Sequence, residues 1–381
     1  MKLISLSFLL AVILAFVECA TPKQEKTLTY LTPFTKQAEV NPCLVPQAES
    51  TFFCPVRQEE VGWEEKDVFN PACAVKGDTL FLLYRAEDNV GKYNGTSRIG
   101  LAYSLDGYHF ERETTPVLYP DHDEYAVYEW EGGCEDPRLV EDDNGTYYLT
   151  YTAYDGDKAR LFVATSPDLR HWKKHGSVFK KAGPQYVDMW SKSGSIISRE
   201  EGGRLIATKV NGKYWMYWGE SNIYMATSDN LVDWEPVLET DPEKMELDTM
   251  RKYTVAFKIL FSTREGQFDS ELVEPGPPAI LTNDGILFIY NSKNSPSFGD
   301  KKLAAGTYAA GQIITDKNDP TNVIGRMDNY FITPDQPFEI TGQVNNVCFV
   351  EGLARFKGKW LLYYGTADSK IAVAESDAKI F

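Results

Sequence analysis

Basic charge is what this chain is short of. Lysine and arginine total 39 against 55 aspartates and glutamates, a formal net charge of −16 at pH 7. A surplus of that sign repels phosphate backbones and anionic headgroups. It excludes nucleic acid and acidic membrane surfaces as partners but leaves a neutral ligand open. Histidine is equally scarce, at four residues, and the six cysteines show no CxxC spacing. Neither a metal site nor a cofactor is therefore expected. Long apolar runs are lacking too, apart from residues 3–17. That run follows Lys2 and is short for a membrane span, so residues 1–20 read as a secretory signal. Cys19 stands where a bacterial lipoprotein carries its lipid. Glu18, however, suits neither that processing site nor ordinary cleavage after Ala20. The expectation is export to a periplasm or cell surface, with no span in the mature chain and the lipid anchor at Cys19 left open. In such a compartment Cys43 and Cys54 are near enough in sequence to pair. Cys73, Cys134 and Cys348 sit in apolar runs and read as buried thiols.

What the chain does have is aromatic residues, 22 of them tyrosine and 8 tryptophan, a supply that suits strands and sugar-stacking surfaces alike. They fall in a repeat. The segments "GDTLFLLYRAED", "NGTYYLTYTAYD", "NGKYWMYWGESN", "DGILFIYNSKN" and "KGKWLLYYGTAD" each follow a turn glycine: Gly77, Gly145, Gly212, Gly285 and Gly358. A short apolar strand precedes each glycine. A second strand follows most runs and ends in a turn such as "SLDGYHF" or "SPDLRHW". Asp106, Asp168 and Asp229 are expected to cap these turns. Each unit thus reads as about four short strands, and none can bury both of its faces alone. Five arranged radially can, so the predicted fold is an all-β, five-bladed propeller. It spans residues 61–381, behind an extension at 21–60 from which part of the ring is completed. Residues 237–268 form a mixed-charge insertion that reads as a lid or as a solvated loop.

In a propeller the first strand of each blade lines a central channel, and the second returns to the same mouth. Asn70, Glu135, Asp136, Arg138, Lys192, Glu274 and Glu351 begin first strands, while Arg85, Tyr154, Glu220, Asn291 and Asp368 end second strands. So many acids at one mouth repel one another, which a purely structural protein has no reason to tolerate. The most distinctive stretch is "GGCEDPRLV". Pro137 is expected to hold Asp136 extended, leaving Glu135 and Asp136 on opposite sides so that only one enters the channel. Arg138 shares the side of Asp136 and can hold a carboxylate or a substrate oxygen. A turn with a surface ion pair is the plain alternative, and the convergence argues against it. Among the aromatics, Tyr84, Tyr103, Trp190, Trp215 and Tyr308 read chiefly as strand packing, with Tyr154 and Trp218 the candidates for stacking on sugar.

These residues match a known pattern. "NPACAV", "LLYRAED", "CEDPRLV", "YYLTYTAYD", "LFVATSPDLRHW" and "FDSELVEPGPPAILTNDGILFIY", with their spacing, resemble glycoside hydrolase family 130 from about Asn70 to Ser376. The resemblance implies a β-mannoside phosphorylase or β-mannosidase on a five-bladed propeller, with a mannose-containing oligosaccharide as substrate. It implies Asp136 as general acid, and Arg85, Arg138 and Lys192 as lining of the sugar site. Two departures bear on the nucleophile. Trp218, Gly219 and Glu220 stand where the phosphorylases show His-Arg-Pro, and Tyr290, Asn291 and Ser292 where they show Tyr-His-Gly. Losing those basic groups disfavours a phosphate nucleophile. The expected activity is therefore inverting hydrolysis of β-linked, β-1,2 by preference, mannosides. Glu220 and Glu274 are the candidate bases, with Glu271 a third possibility. Asn70, Glu135, Asn291 and Glu351 are expected to contact the substrate. A phosphorylase of the same family and a non-catalytic glycan-binding propeller are the rival readings.

Overall fold

A computed structural model describes residues 27–245 and 255–381. The expected signal, Cys19 and the centre of the 237–268 insertion lie outside these residues. Among those described, strands dominate and helix is confined to three four-residue turns. The chain is thus nearly all-β.

Five antiparallel units follow one another. The first runs through Asp67–Lys76, Thr79–Glu87, Ser97–Ser104 and Glu111–Arg112, and the second through Gly133–Glu141, Tyr147–Tyr154, Ala159–Ser166 and Lys173–Ser177. The third comprises Ser195–Ile196, Tyr214–Trp218, Asn222–Ser228 and Trp234–Pro236, interrupted by a hairpin of Ser198–Glu201 with Arg204–Ala207. The fourth holds Leu272–Pro275, Ile286–Lys293, Tyr308–Asp316 and Asp319–Arg326. The fifth has three strands of its own, Cys348–Phe356, Lys359–Thr366 and Lys370–Ser376. Its fourth comes from the other end of the chain, where Thr35–Lys36 pairs antiparallel with Lys370–Ser376. Single parallel bridges, such as Ser97 with Gly133, link some neighbouring units without closing one continuous sheet.

The strands read as continuous apolar runs because both faces of each unit are covered. In Thr79–Glu87, Leu80, Leu82 and Tyr84 pack toward the fifth unit, while Phe81 and Leu83 pack toward the second. Alternation along a pleated strand sends successive side chains to opposite faces. Five apolar clusters result, joining first to second, second to third, third to fourth, fourth to fifth, and fifth to first units.

The turns follow the glycines. Gly145 and Gly358 adopt φ of +85° and +86°, a region other residues enter at a cost. Gly285 is needed for space instead, since a Cβ there would lie 2.3 Å from the Thr315 carbonyl oxygen. Asp106 and Asp168 do cap their turns, accepting from the backbone N–H groups of Tyr108 and His109, and of Arg170 and His171. In the third unit that role belongs to Asn230, which accepts from Val232 and Asp233. Asp229 lies one residue out of register and pairs with Lys213 at 2.6 Å. Cys43 and Cys54 are both free: Cys43 Sγ donates to the Ile371 carbonyl, and Cys54 Sγ accepts from Arg98. Cys73, Cys134 and Cys348 are buried free thiols, as expected.

Candidate active site

The inner strands of the first, second and fifth units lose register where they carry polar residues. The breaks fall between Phe69 and Pro71, Glu135 and Arg138, and Val350 and Gly352. Each is a bulge, which turns a residue off the ladder and re-aims its side chain. Proline, having no N–H to donate, suits such a break. Asn70 and Asp136, each followed by proline, both take φ of +47°. The extended conformation expected of Asp136 is thus not found. Ser193, at the same place in the third unit, takes φ of +61°.

The bulges bring the first and second units together. Asn70 Nδ2 donates to Asp136 Oδ1 at 2.9 Å. Arg85, from the end of the first unit's second strand, reaches Glu87 at 2.7 Å, Glu135 at 2.9 Å and Asp136 at 3.2 Å. Glu135 and Asp136 therefore share one guanidinium rather than facing opposite ways. Lys192 lies between them and the other half of the site. Its Nζ is 3.8 Å from Asp136, 3.8 Å from Glu220 and 3.1 Å from Glu274. Taken end to end, these legs hold Asp136 to at most about 7 Å from Glu274 and about 8 Å from Glu220. An inverting glycosidase needs roughly 6.5–9.5 Å between its two carboxyl groups. Both glutamates can meet that spacing, Glu220 with more room. Glu274 is buried and also accepts a hydrogen bond from Ser193 Oγ.

Four expected sugar contacts are placed elsewhere. Arg138 is buried and donates to the carbonyls of Pro275, Gly276 and Asp136, and it pairs with buried Glu351 at 2.8 Å. The two tie the second unit to the fourth and fifth. Asn291 is likewise a buried clamp, its amide donating to the Val350 carbonyl and accepting from the Val350 N–H. Trp218 is fully buried among Phe179, Tyr224 and Phe257. It is core of the second–third interface and has no face for a sugar. Of the remaining residues, Tyr154 is half-buried beside Glu135. Glu271 sits farther out, paired with Lys293 at 2.9 Å.

Charge is distributed unevenly in the cluster. Burial raises the Asp136 carboxyl, but Arg85, Lys192 and Arg138, with the Asn70 hydrogen bond, outweigh it and hold the group well below the usual carboxylate range. Burial pushes Glu135 up to about 7, against the pull of Arg85. Asp368 is pushed up to about 7 by burial as well, with Arg85 again opposing. In the free protein Glu135 and Asp368 are thus raised toward neutrality, Glu351 is raised well above its ordinary value by burial, and Asp136 is held low. Lys192 is raised, since burial is overcome by Glu274, Asp136 and Glu135.

Asp368 was legible as a channel residue from its strand end, but its tie to Arg85 was not. Ser193 was missed as well. The only signal for it was its position beside Lys192, matching Asn70 and Asp136. Tyr308 was read as packing; its ring meets Phe349 and lies 5.6 Å from Lys293 Nζ, and its hydroxyl is pushed up to about 12 by burial, then by Glu274 and Asp368.

Residues 54–381 match a family model described as β-1,4-mannooligosaccharide phosphorylase. A 1,2-β-oligomannan phosphorylase from Thermoanaerobacter sp. (strain X514) is 30% identical over 356 residues, covering 90% of this chain and 97% of that protein. A glycosyl hydrolase structure from Bacteroides ovatus is 45% identical, with a TM-score of 0.85 and coverage of 92% and 96%. A further solved structure, also 45% identical with a TM-score of 0.85 and coverage of 91% and 94%, comes from work on family members described as glycoside hydrolases that target β-1,2 mannosidic linkages in Candida mannan.

Proposed function

The chain belongs to glycoside hydrolase family 130, whose members act on mannosides, and from that premise we propose that it releases mannose from β-1,2-linked mannosides by inverting hydrolysis. The observation that carries this reading is the state of the site's cations. Arg85 and Lys192 are each already paired with carboxylates. A phosphate nucleophile needs cations to spare. It would instead meet Glu220, and two unit charges at 4 Å repel by about 4 kcal/mol at an effective dielectric near 20. Water carries no such penalty. The 45%-identical relatives described as hydrolases support the same choice.

In this reading Asp136 protonates the glycosidic oxygen as the bond to the anomeric carbon breaks. Glu220 or Glu274 takes the proton of the attacking water on the opposite face, and the product is α-mannose. Asp136 must first gain a proton. Sugar hydroxyls that bind Arg85 and Lys192 draw on the donors that keep it ionised. Expulsion of water raises a carboxyl further. Glu135 and Asp368 are the adjacent acids that titrate near neutrality.

The same proposal takes the fold as a five-bladed propeller. Support comes from the cyclic set of unit interfaces and from the N-terminal strand that completes the fifth unit.

Phosphorolysis is the second reading, favoured by the family model's description and by the 30%-identical relative. Initial rates on β-1,2-mannobiose, measured as inorganic phosphate is titrated from zero, separate the two. Hydrolysis gives a rate independent of phosphate. A rate that vanishes without phosphate and saturates with it overturns the proposal.

A further inference from the structure

The proposed reaction has two sides, and the residues divide between them. Asp136 is held by Asn70 and Arg85 of the first unit, whereas Glu220 and Glu274 come from the third and fourth. In an inverting displacement the leaving group departs on the acid's side and water enters on the base's side. The leaving sugar must therefore lie over the first and second units.

Two tyrosines stand there. Tyr154 ends the second strand of the second unit, in ladder register with Gly133. Gly132 makes room for its ring, since a Cβ on Gly132 would fall 2.3 Å from a Tyr154 ring carbon. The Tyr154 hydroxyl is raised by burial, then by Glu135, then by Tyr93. Tyr93 belongs to the loop between Thr79–Glu87 and Ser97–Ser104 of the first unit, and is 38% exposed.

That loop is built to hold Tyr93 still. Its base is fixed by Asp88, which pairs with buried Arg98 at 2.7 Å and accepts from the N–H groups of Val90 and Thr96. At its middle, Gly91 leaves space filled by Arg57 and Glu131, which pair at 2.5 Å. At its tip the Tyr93 ring lies across Gly156 of the second unit, where a Cβ would come within 2.1 Å of the ring. Lys92 is itself exposed; its Nζ donates to the Tyr93 hydroxyl at 2.9 Å and lies 4.8 Å from the ring centroid, where a sugar can displace it. A well-anchored and partly exposed aromatic, next to the tyrosine that neighbours Glu135, has the character of a sugar platform.

The geometry points to Tyr93 and Tyr154 forming the shelf on which the leaving sugar rests, with Tyr93 setting the preference for a sugar over a smaller leaving group. This rests on the mannosidase reading above. Tyr93 touches the substrate without entering the chemistry, so it governs specificity.

The test compares two substrates in wild type, Tyr93→Ala and Tyr93→Phe: β-1,2-mannobiose, and β-mannosyl fluoride, whose leaving group is too small to reach the shelf. The readout is the ratio of kcat/KM on the first to that on the second, with turnover of the fluoride certifying that each variant is folded. Loss of a stacking face predicts that the ratio falls about 10-fold in Tyr93→Ala, while Tyr93→Phe keeps it within about 3-fold of wild type. Gly156→Ala, which pushes the ring off its seat, lowers the ratio in the same direction. A ratio unchanged in Tyr93→Ala, with wild type active on both substrates, overturns the shelf alone. A wild-type protein inactive on both overturns the mannosidase reading, and the shelf with it.

Discussion

In the proposed reaction Asp136 is the acid, and its surroundings set the pH at which it can work. Three cations hold its carboxyl low in the free protein, while burial pushes Glu135 and Asp368 up to about 7. The acid step needs one proton in this cluster. Below about 7 a neighbour carries it, and above that value the cluster loses it. kcat/KM on β-1,2-mannobiose is therefore expected to be flat just below pH 7 and to fall toward tenfold per unit above it. A pH–rate profile from 5 to 9 checks this. Replacing the acid itself, Asp136→Asn, should lower kcat by about 10²–10⁴-fold with the fold intact, as steady-state rates and circular dichroism would show. The acids were legible in the sequence because they stand at strand ends. Their contacts were not, because a rule of strict alternation sends Glu135 and Asp136 to opposite faces, and the bulge brings both to Arg85. Trp218 was misplaced for a related reason. An aromatic near a strand end reads the same whether its ring meets solvent or, as here, Phe179 and Phe257 of the interface.

Strands and turns were largely written in the sequence. Apolar runs between glycines gave the hairpins, and an S-x-D pattern gave the caps, with Asn230 supplying the third because asparagine accepts the same backbone bonds. The bulges were only half visible. A proline follows Asn70 and Asp136 at two of them, yet at Asp136 it pointed to an extended residue instead, and the third break, before Gly352, carries no such mark. Its signal is steric. A Cβ on Gly352 would lie 2.7 Å from the Pro71 carbonyl oxygen, where the fifth unit's inner strand meets the first's. Backbone cannot step aside as a flexible side chain can. Gly352→Ala is expected to cost about 1–3 kcal/mol, the usual penalty for overpacking. The urea midpoint, at unchanged m-value, measures it.

At the scale of the molecule, the repeat of about 70 residues was plain because each unit reuses the same glycine turn and aromatic run. The N-terminal extension was expected to help complete the ring, but the closing strand itself was not legible, since two residues have no pattern of their own. Thr35–Lys36 pairs with the last strand, and Lys36 reaches buried Glu339 at 2.7 Å. The extra hairpin inside the third unit also escaped the repeat. What the assembled units create is a site where Arg85 and Lys192 are already matched by carboxylates. The central claim is that such a site admits water as nucleophile and excludes phosphate. It is tested most directly by following the protein acting on β-1,2-mannobiose in phosphate buffer by proton and phosphorus NMR in the first minutes, before mannose mutarotates. The account predicts α-mannose as the first product from the non-reducing sugar, with no new phosphorus signal. Appearance of mannose 1-phosphate would contradict it.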